Sequence, residues 1–130
     1  MSVRRLLKSH PGATSRLSEV EVASALVRRE REGAFSAADR DRALASIGRD
    51  FATLIVIEFT PQIASASREL LLRHRLRAGD AVQLASCLYL QRELGEPISF
   101  VAFDDRLTAA AAGEGLQVVA ASKRARRKSV

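Results

Sequence analysis

Apolar positions along the chain switch between a helical and an extended period. Leu17, Val20, Ala23, Ser24 and Val27 recur at helical spacing, and the pattern runs to Gly33, predicting a first helix. Ser36 with Asp39 three residues on is a carboxylate variant of the capping box, so a second helix is expected from Ser36 through Ala43, Leu44 and Ile47. Leu54-Ile55-Val56-Ile57-Glu58-Phe59 is β-branched, apolar and short, as a strand is, and Pro61 then starts a helix carrying Ile63, Ala66, Leu70 and Leu71. A further helix opens near Gly79 and runs to about Leu94, where Gly95 and Pro97 stop it. Ile98 to Phe103 reads as a second strong strand, Arg106 to Ala112 as a short Ala-rich helix ended by Gly113 and Gly115, and Leu116 to Ala120 as the last strand. Strands alternating with helices predict an α/β fold with a mostly parallel sheet covered on both faces. Neither an internal repeat nor a low-complexity segment occurs before the C-terminal tail.

Composition narrows this to one globular domain. The 130 residues are 47% apolar and 28% charged, enough to bury a core, and we expect a domain over residues 1–120 followed by a disordered basic tail over 121–130. The formal net charge is +6, but Lys123, Arg124, Arg126, Arg127 and Lys128 supply five of those charges, leaving about +1 for the rest. A single cysteine excludes an intrachain disulfide framework, and Cys87 between Ala85 and Leu88 is expected to be a buried, inert thiol. No apolar run approaches the roughly 18 residues that span a bilayer, and the first residues lack the apolar segment of a signal peptide. A soluble protein of the reducing cytoplasm, with no membrane partner, is the expectation. His10 and His74 lack the spacing of a zinc site. Five Phe and one Tyr, mostly in apolar contexts, argue against a base-stacking platform.

Three carboxylates fall at element boundaries. Asp104 follows the strand through Phe103, where functional groups of open α/β sheets collect; Asp80 stands at the opening of the helix near Gly79; Glu21 lies about a turn into the first helix. Carboxylates forced into one cleft repel one another, and a divalent cation with hard oxygen ligands, magnesium or manganese, is the usual compensation. Such a metal lowers the pKa of a bound water and neutralises charge developing on a phosphate. The cluster Arg68, Arg73, His74, Arg75 and Arg77 leads into Asp80 and suits a polyanionic substrate, with a solvated helix face as its other reading. Each acid has a simpler reading too. Ser18 and Glu21 match a capping box, and Asp80 and Asp104 could each be an N-cap.

The chain resembles the PIN domain, specifically the VapC-type toxin ribonucleases of bacterial toxin–antitoxin pairs. Ser15-x-Leu17-x-x-x-Glu21 is similar to the family's second acidic motif, Gly79-Asp80-Ala81-x-x-Leu84-Ala85 to the third, and Phe100-Val101-x-x-Asp104-x-Arg106-Leu107 with Gly115-Leu116-x-Val118 to the fourth. The resemblance covers roughly residues 5 to 119. It implies a PIN-like three-layer sandwich, and a metal-dependent endoribonuclease hydrolysing RNA phosphodiester bonds. Glu21, Asp80 and Asp104 would be catalytic and hold Mg2+ or Mn2+, and Arg73, Arg75 and Arg77 would meet the RNA. It further implies a homodimer and a cognate VapB-type antitoxin that covers the cleft and represses the shared promoter.

Two departures qualify the resemblance. Ala102 stands where the family often has a hydroxyl residue. The family opens with a central strand ending in its first catalytic aspartate; here Met1 to Lys8 reads as the end of the following helix, and no acid precedes Glu19. The central strand is therefore expected to be missing, leaving unpaired backbone groups on its neighbours. Glu19 is about 200° around a helix from Glu21, and Asp105 suits a solvated first-turn position, so neither is expected to replace the lost acid. Greatly reduced metal affinity and little nuclease activity follow as expectations. A degenerate, non-catalytic PIN-like module that binds an antitoxin or a dimer partner is the alternative. An unrelated phosphatase or receiver-like domain would need a nucleophilic aspartate after the first strand, and the sequence has none.

Overall fold

Helix-start chemistry sets the architecture. In the computed structural model, which describes residues 12–102 and 104–120, the chain divides into two compact units, residues 1–59 and 60–130. The expectations for Met1 to Lys8, for Phe103 and for the basic tail lie outside the described residues.

In the first unit, β1 (Ala13–Ser15) runs directly into α1 (Arg16–Arg31). Ser15 keeps extended backbone angles and its Oγ accepts from the Leu17 amide at 3.0 Å, satisfying one of the orphan donors of the first turn. Arg28, Arg29 and Arg31 place positive charge at the helix C-terminus, complementing its dipole. Gly33 then takes φ +82°, a left-handed conformation that turns the chain cheaply toward α2 (Ala37–Ala52). The capping box expected at Ser36 and Asp39 is present in both directions. Arg40 pairs with Glu30, tying the two helices together. β2 (Ile55–Ile57) returns parallel to β1, with Ala13 opposite Ile55 and Ser15 opposite Ile57. β1 has no counterpart among the predicted elements, and β2 is shorter than the predicted Leu54–Phe59 run.

The second unit carries the core. Thr60 caps α3 (Pro61–Arg73) by accepting from the Ile63 amide at 3.2 Å, and Pro61 occupies the first helical position, where no N–H is needed. Ile63, Ser67 and Leu70 recur every three to four residues and form the buried face. α4 (Ala78–Leu94) buries Ala81, Val82, Leu84, Ala85, Ser86, Leu90 and Leu94 and packs along α3. Ser67 and Ser86 donate to carbonyls one turn back, Ile63 and Val82, so their burial leaves no hydroxyl unsatisfied. Gly95 ends α4 at φ +69°, as a left-handed cap does. β3 (Ser99–Ala102) and β4 (Gln117–Ala120) pair in parallel register, Ser99 opposite Gln117, joined through α5 (Asp105–Gly113). Phe100 points into the core, while Val101 and its ladder partner Val119 are exposed. The α/β class and the parallel pairing read from the sequence are what the structure shows, as two two-stranded sheets.

Candidate functional site

The helix starts decide which simple readings of the three acids hold. Helix α1 is capped by Ser15, three residues before Ser18, so Glu21 is the sixth helical residue and the Ser18–Glu21 capping box is not formed. Glu21 is half-buried. Asp80 is also not an N-cap: Arg77 holds that position without a side-chain hydrogen bond, and Asp80 is the third residue of α4, half-buried in the first turn. Its negative charge there complements the helix dipole. Asp104 is an N-cap, accepting from the Leu107 amide at Oδ2 over 3.2 Å. It stands exposed between β3 and α5. Asp105, next to it, is the exposed first-turn acid the sequence suggested.

An acid that sequence reasoning passed over lies at the carboxyl edge of the first sheet. Because Ser15 pairs with Ile57, the next residues, Arg16 and Glu58, emerge side by side although they are 42 positions apart. Arg16 Nε donates to Glu58 Oε1 at 2.8 Å and its terminal nitrogen donates to the same oxygen at 2.5 Å. The opposite terminal nitrogen donates to Glu19 at 2.7 Å. Hydrogen bonding from Arg16 holds the Glu58 carboxyl below the ordinary carboxylate range, and the two carboxylates raise the pKa of Arg16 in return. Glu19 is thus directed onto Arg16, which agrees with its expected turn away from Glu21. The only sequence signal for this triad was a charged residue ending an apolar strand.

The basic cluster before Asp80 is divided. Arg73 donates to both oxygens of Glu114, at 3.1 and 3.0 Å, and His74 Nε2 lies 2.7 Å from Glu114 Oε2. This fixes the end of α3 to the turn after α5. Arg75 and Arg77 are exposed, and Arg77 leads into the first turn of α4 that carries Asp80. A cavity of about 850 Å3 has Arg73, Arg92 and Glu114 at its rim and Ile63, Leu70 and Ala85 among its walls. Neither Asp80 nor Asp104 lines it. Cys87 is half-buried rather than buried, and its partial burial pushes the thiol up to about 11, which favours the protonated form.

Carboxylate oxygens are the right chemistry for magnesium or manganese. Among the described residues, however, no group of three or more His, Cys, Asp or Glu side chains is gathered as a metal-holding set. The donors are of the right kind, but the described arrangement does not complete a metal cage. No helix among the described residues is long and apolar enough to cross a membrane. In comparison with known proteins, residues 1–113 match the family model described as PIN domain. No individual curated protein matches the chain.

Proposed function

Because the chain belongs to the PIN domain family, which points to a nuclease-like function in general, we propose that it is a metal-dependent endoribonuclease of the VapC toxin type. It would cut RNA phosphodiester bonds in the cytoplasm, with a VapB-type antitoxin and a second copy of itself as partners. What supports the reading is the family match over residues 1–113, a span that contains all three acids. Asp104 follows a parallel strand and caps the next helix, Asp80 sits in the first turn of α4, and Glu21 lies in the helix that follows β1. Glu21, Asp80 and Asp104 are the residues that would hold Mg2+ or Mn2+, whose chemistry when bound is to activate water and offset phosphate charge. Arg75 and Arg77, exposed beside the Asp80 turn, would hold RNA phosphates, while Arg73 would have to leave Glu114 to do so.

Purified protein should cleave single-stranded RNA only when Mg2+ or Mn2+ is present. Asp80→Asn should abolish that cleavage, and a chelator should prevent it. No cleavage at any metal concentration, with antitoxin or dimer binding retained, would replace this reading with the non-catalytic PIN-like module.

A further inference from the structure

The triad at the edge of the first sheet has one cation and two carboxylates, so it carries one negative charge in excess. Both partners of the tighter pair are well exposed, with Arg16 at 46% and Glu58 at 57% side-chain accessibility. Exposed ion pairs hold weakly and exchange readily. The guanidinium fork that meets Glu58 is also the geometry that meets a phosphate, and the two anions compete for it on similar terms. Arg16 is the first residue of a 16-residue helix, and the amide dipoles behind it favour an anion at that position. It also lies at the carboxyl edge of a parallel strand pair, where ligands of open α/β sheets bind. Beside it is a cavity of about 460 Å3 bounded by Arg16, Glu19, Phe51, Leu54 and Val56. The depression is largely open to solvent and offers an apolar wall of Phe51, Leu54 and Val56 next to a cation.

We propose that Arg16 is a substrate-phosphate contact held in reserve by Glu58 and Glu19, which an RNA phosphate displaces as the adjoining nucleotide enters the cavity against Phe51. This rests on the ribonuclease function proposed for the chain, and gives Glu58 a role opposite to that of a metal-binding acid: it restrains RNA binding. The competing account is a structural staple that joins the ends of β1 and β2 and never meets RNA.

A double-mutant cycle on RNA affinity separates the two. Binding of a fluorescein-labelled single-stranded oligoribonucleotide is followed by anisotropy in chelator, so that cleavage plays no part. Arg16→Ala should weaken binding by about 3- to 10-fold and lower the slope of log affinity against log salt by about 0.7, the loss of one phosphate contact on a single strand. Glu58→Gln should tighten binding by about the same factor, and that gain should vanish in the Arg16→Ala background. Arg16→Lys, which keeps the charge but loses the fork, should fall between. A Glu58→Gln gain of equal size in both backgrounds would be a general charge effect and would overturn the proposal. So would unchanged affinities accompanied by lowered melting temperatures, which is the staple. Cleavage assayed in parallel with metal keeps the two readings apart: cleavage with an additive cycle removes the Arg16 role alone, and an intact cycle without cleavage removes the hydrolytic reading alone. Absence of RNA binding by the unmodified chain would remove both.

Discussion

Glu114 accepts from Arg73 and lies against His74, and Arg73 first, then His74, hold its carboxyl below the ordinary value of 4.5. The consequence for stability has a definite sign. A carboxyl whose folded pKa is lowered stabilises the fold above its unfolded pKa, and that contribution is lost as pH falls through the lowered folded value. Glu114→Gln should therefore melt earlier than the parent at neutral pH, and the gap in melting temperature should narrow as pH drops below about 4.5. Thermal melts of both proteins between pH 7 and pH 3 check this; a gap that stays constant with pH would mean the carboxylate charge is not what Glu114 contributes. Residue-scale partnerships of this kind were not legible in the sequence. Arg73 and Glu114 are 41 positions apart and Arg16 and Glu58 are 42 apart, so only the strand register and the turn after α5 bring them together. Local sequence could place Glu21, Asp80 and Asp104 at helix starts, but not tell an N-cap from a first-turn acid. That distinction depends on where the backbone enters helical angles, at Ser15 rather than Ser18 for α1 and at Arg77 for α4.

Elements were far more legible than residues, because helix ends are written in short-range chemistry. Ser36 with Asp39, Pro61, Gly95 and Gly115 each act within a turn of where they stand, and each marks the boundary expected of it. Strand β1 escaped because Ala-Thr-Ser is three residues long with no apolar alternation; its strand character comes from pairing with Ile55–Ile57. Two glycines test how much of this is local. Gly95 holds φ +69° and a Cβ there would touch nothing, so Gly95→Ala should cost about 1 kcal/mol through backbone strain alone. Gly48 lies inside α2 with open space around it, so Gly48→Ala should stabilise by about 1 kcal/mol through helix propensity. Urea unfolding of the two variants should thus shift in opposite directions. A shift of the same sign in both would show that long-range packing, and not local conformation, governs these positions.

The two units differ in what holds them. All the buried apolar side chains among the described residues, from Ile63 and Leu70 through Leu84 and Leu90 to Phe100 and Leu116, belong to residues 60–130. In the first unit α1 and α2 bury none, Val20 is 62% exposed, and Ser15 is the buried residue. Its helices rest on half-buried rather than fully buried apolar side chains, Leu26, Leu44 and Ile47 among them, together with caps, the Arg40–Glu30 pair and a three-residue parallel ladder. Hydrophobic burial is the dominant favourable term in folding, and surface ion pairs contribute little, so opening of the first unit should need much less free energy than opening of the second. Hydrogen exchange followed by mass spectrometry should show α1 and α2 exchanging well before α3 and α4 under native conditions. Leu84→Ala, at a side chain that is fully buried, should cost about 3 kcal/mol and accelerate exchange in α3 and α4. The same substitution should leave the early exchange of α1 and α2 unchanged if the units open independently. Equal protection across both units in the parent protein would mean that something beyond the described side chains supports the first unit. A bound RNA that engages Arg16 would be a second source of protection: it should slow exchange at the start of α1, and do so in the parent but not in Arg16→Ala.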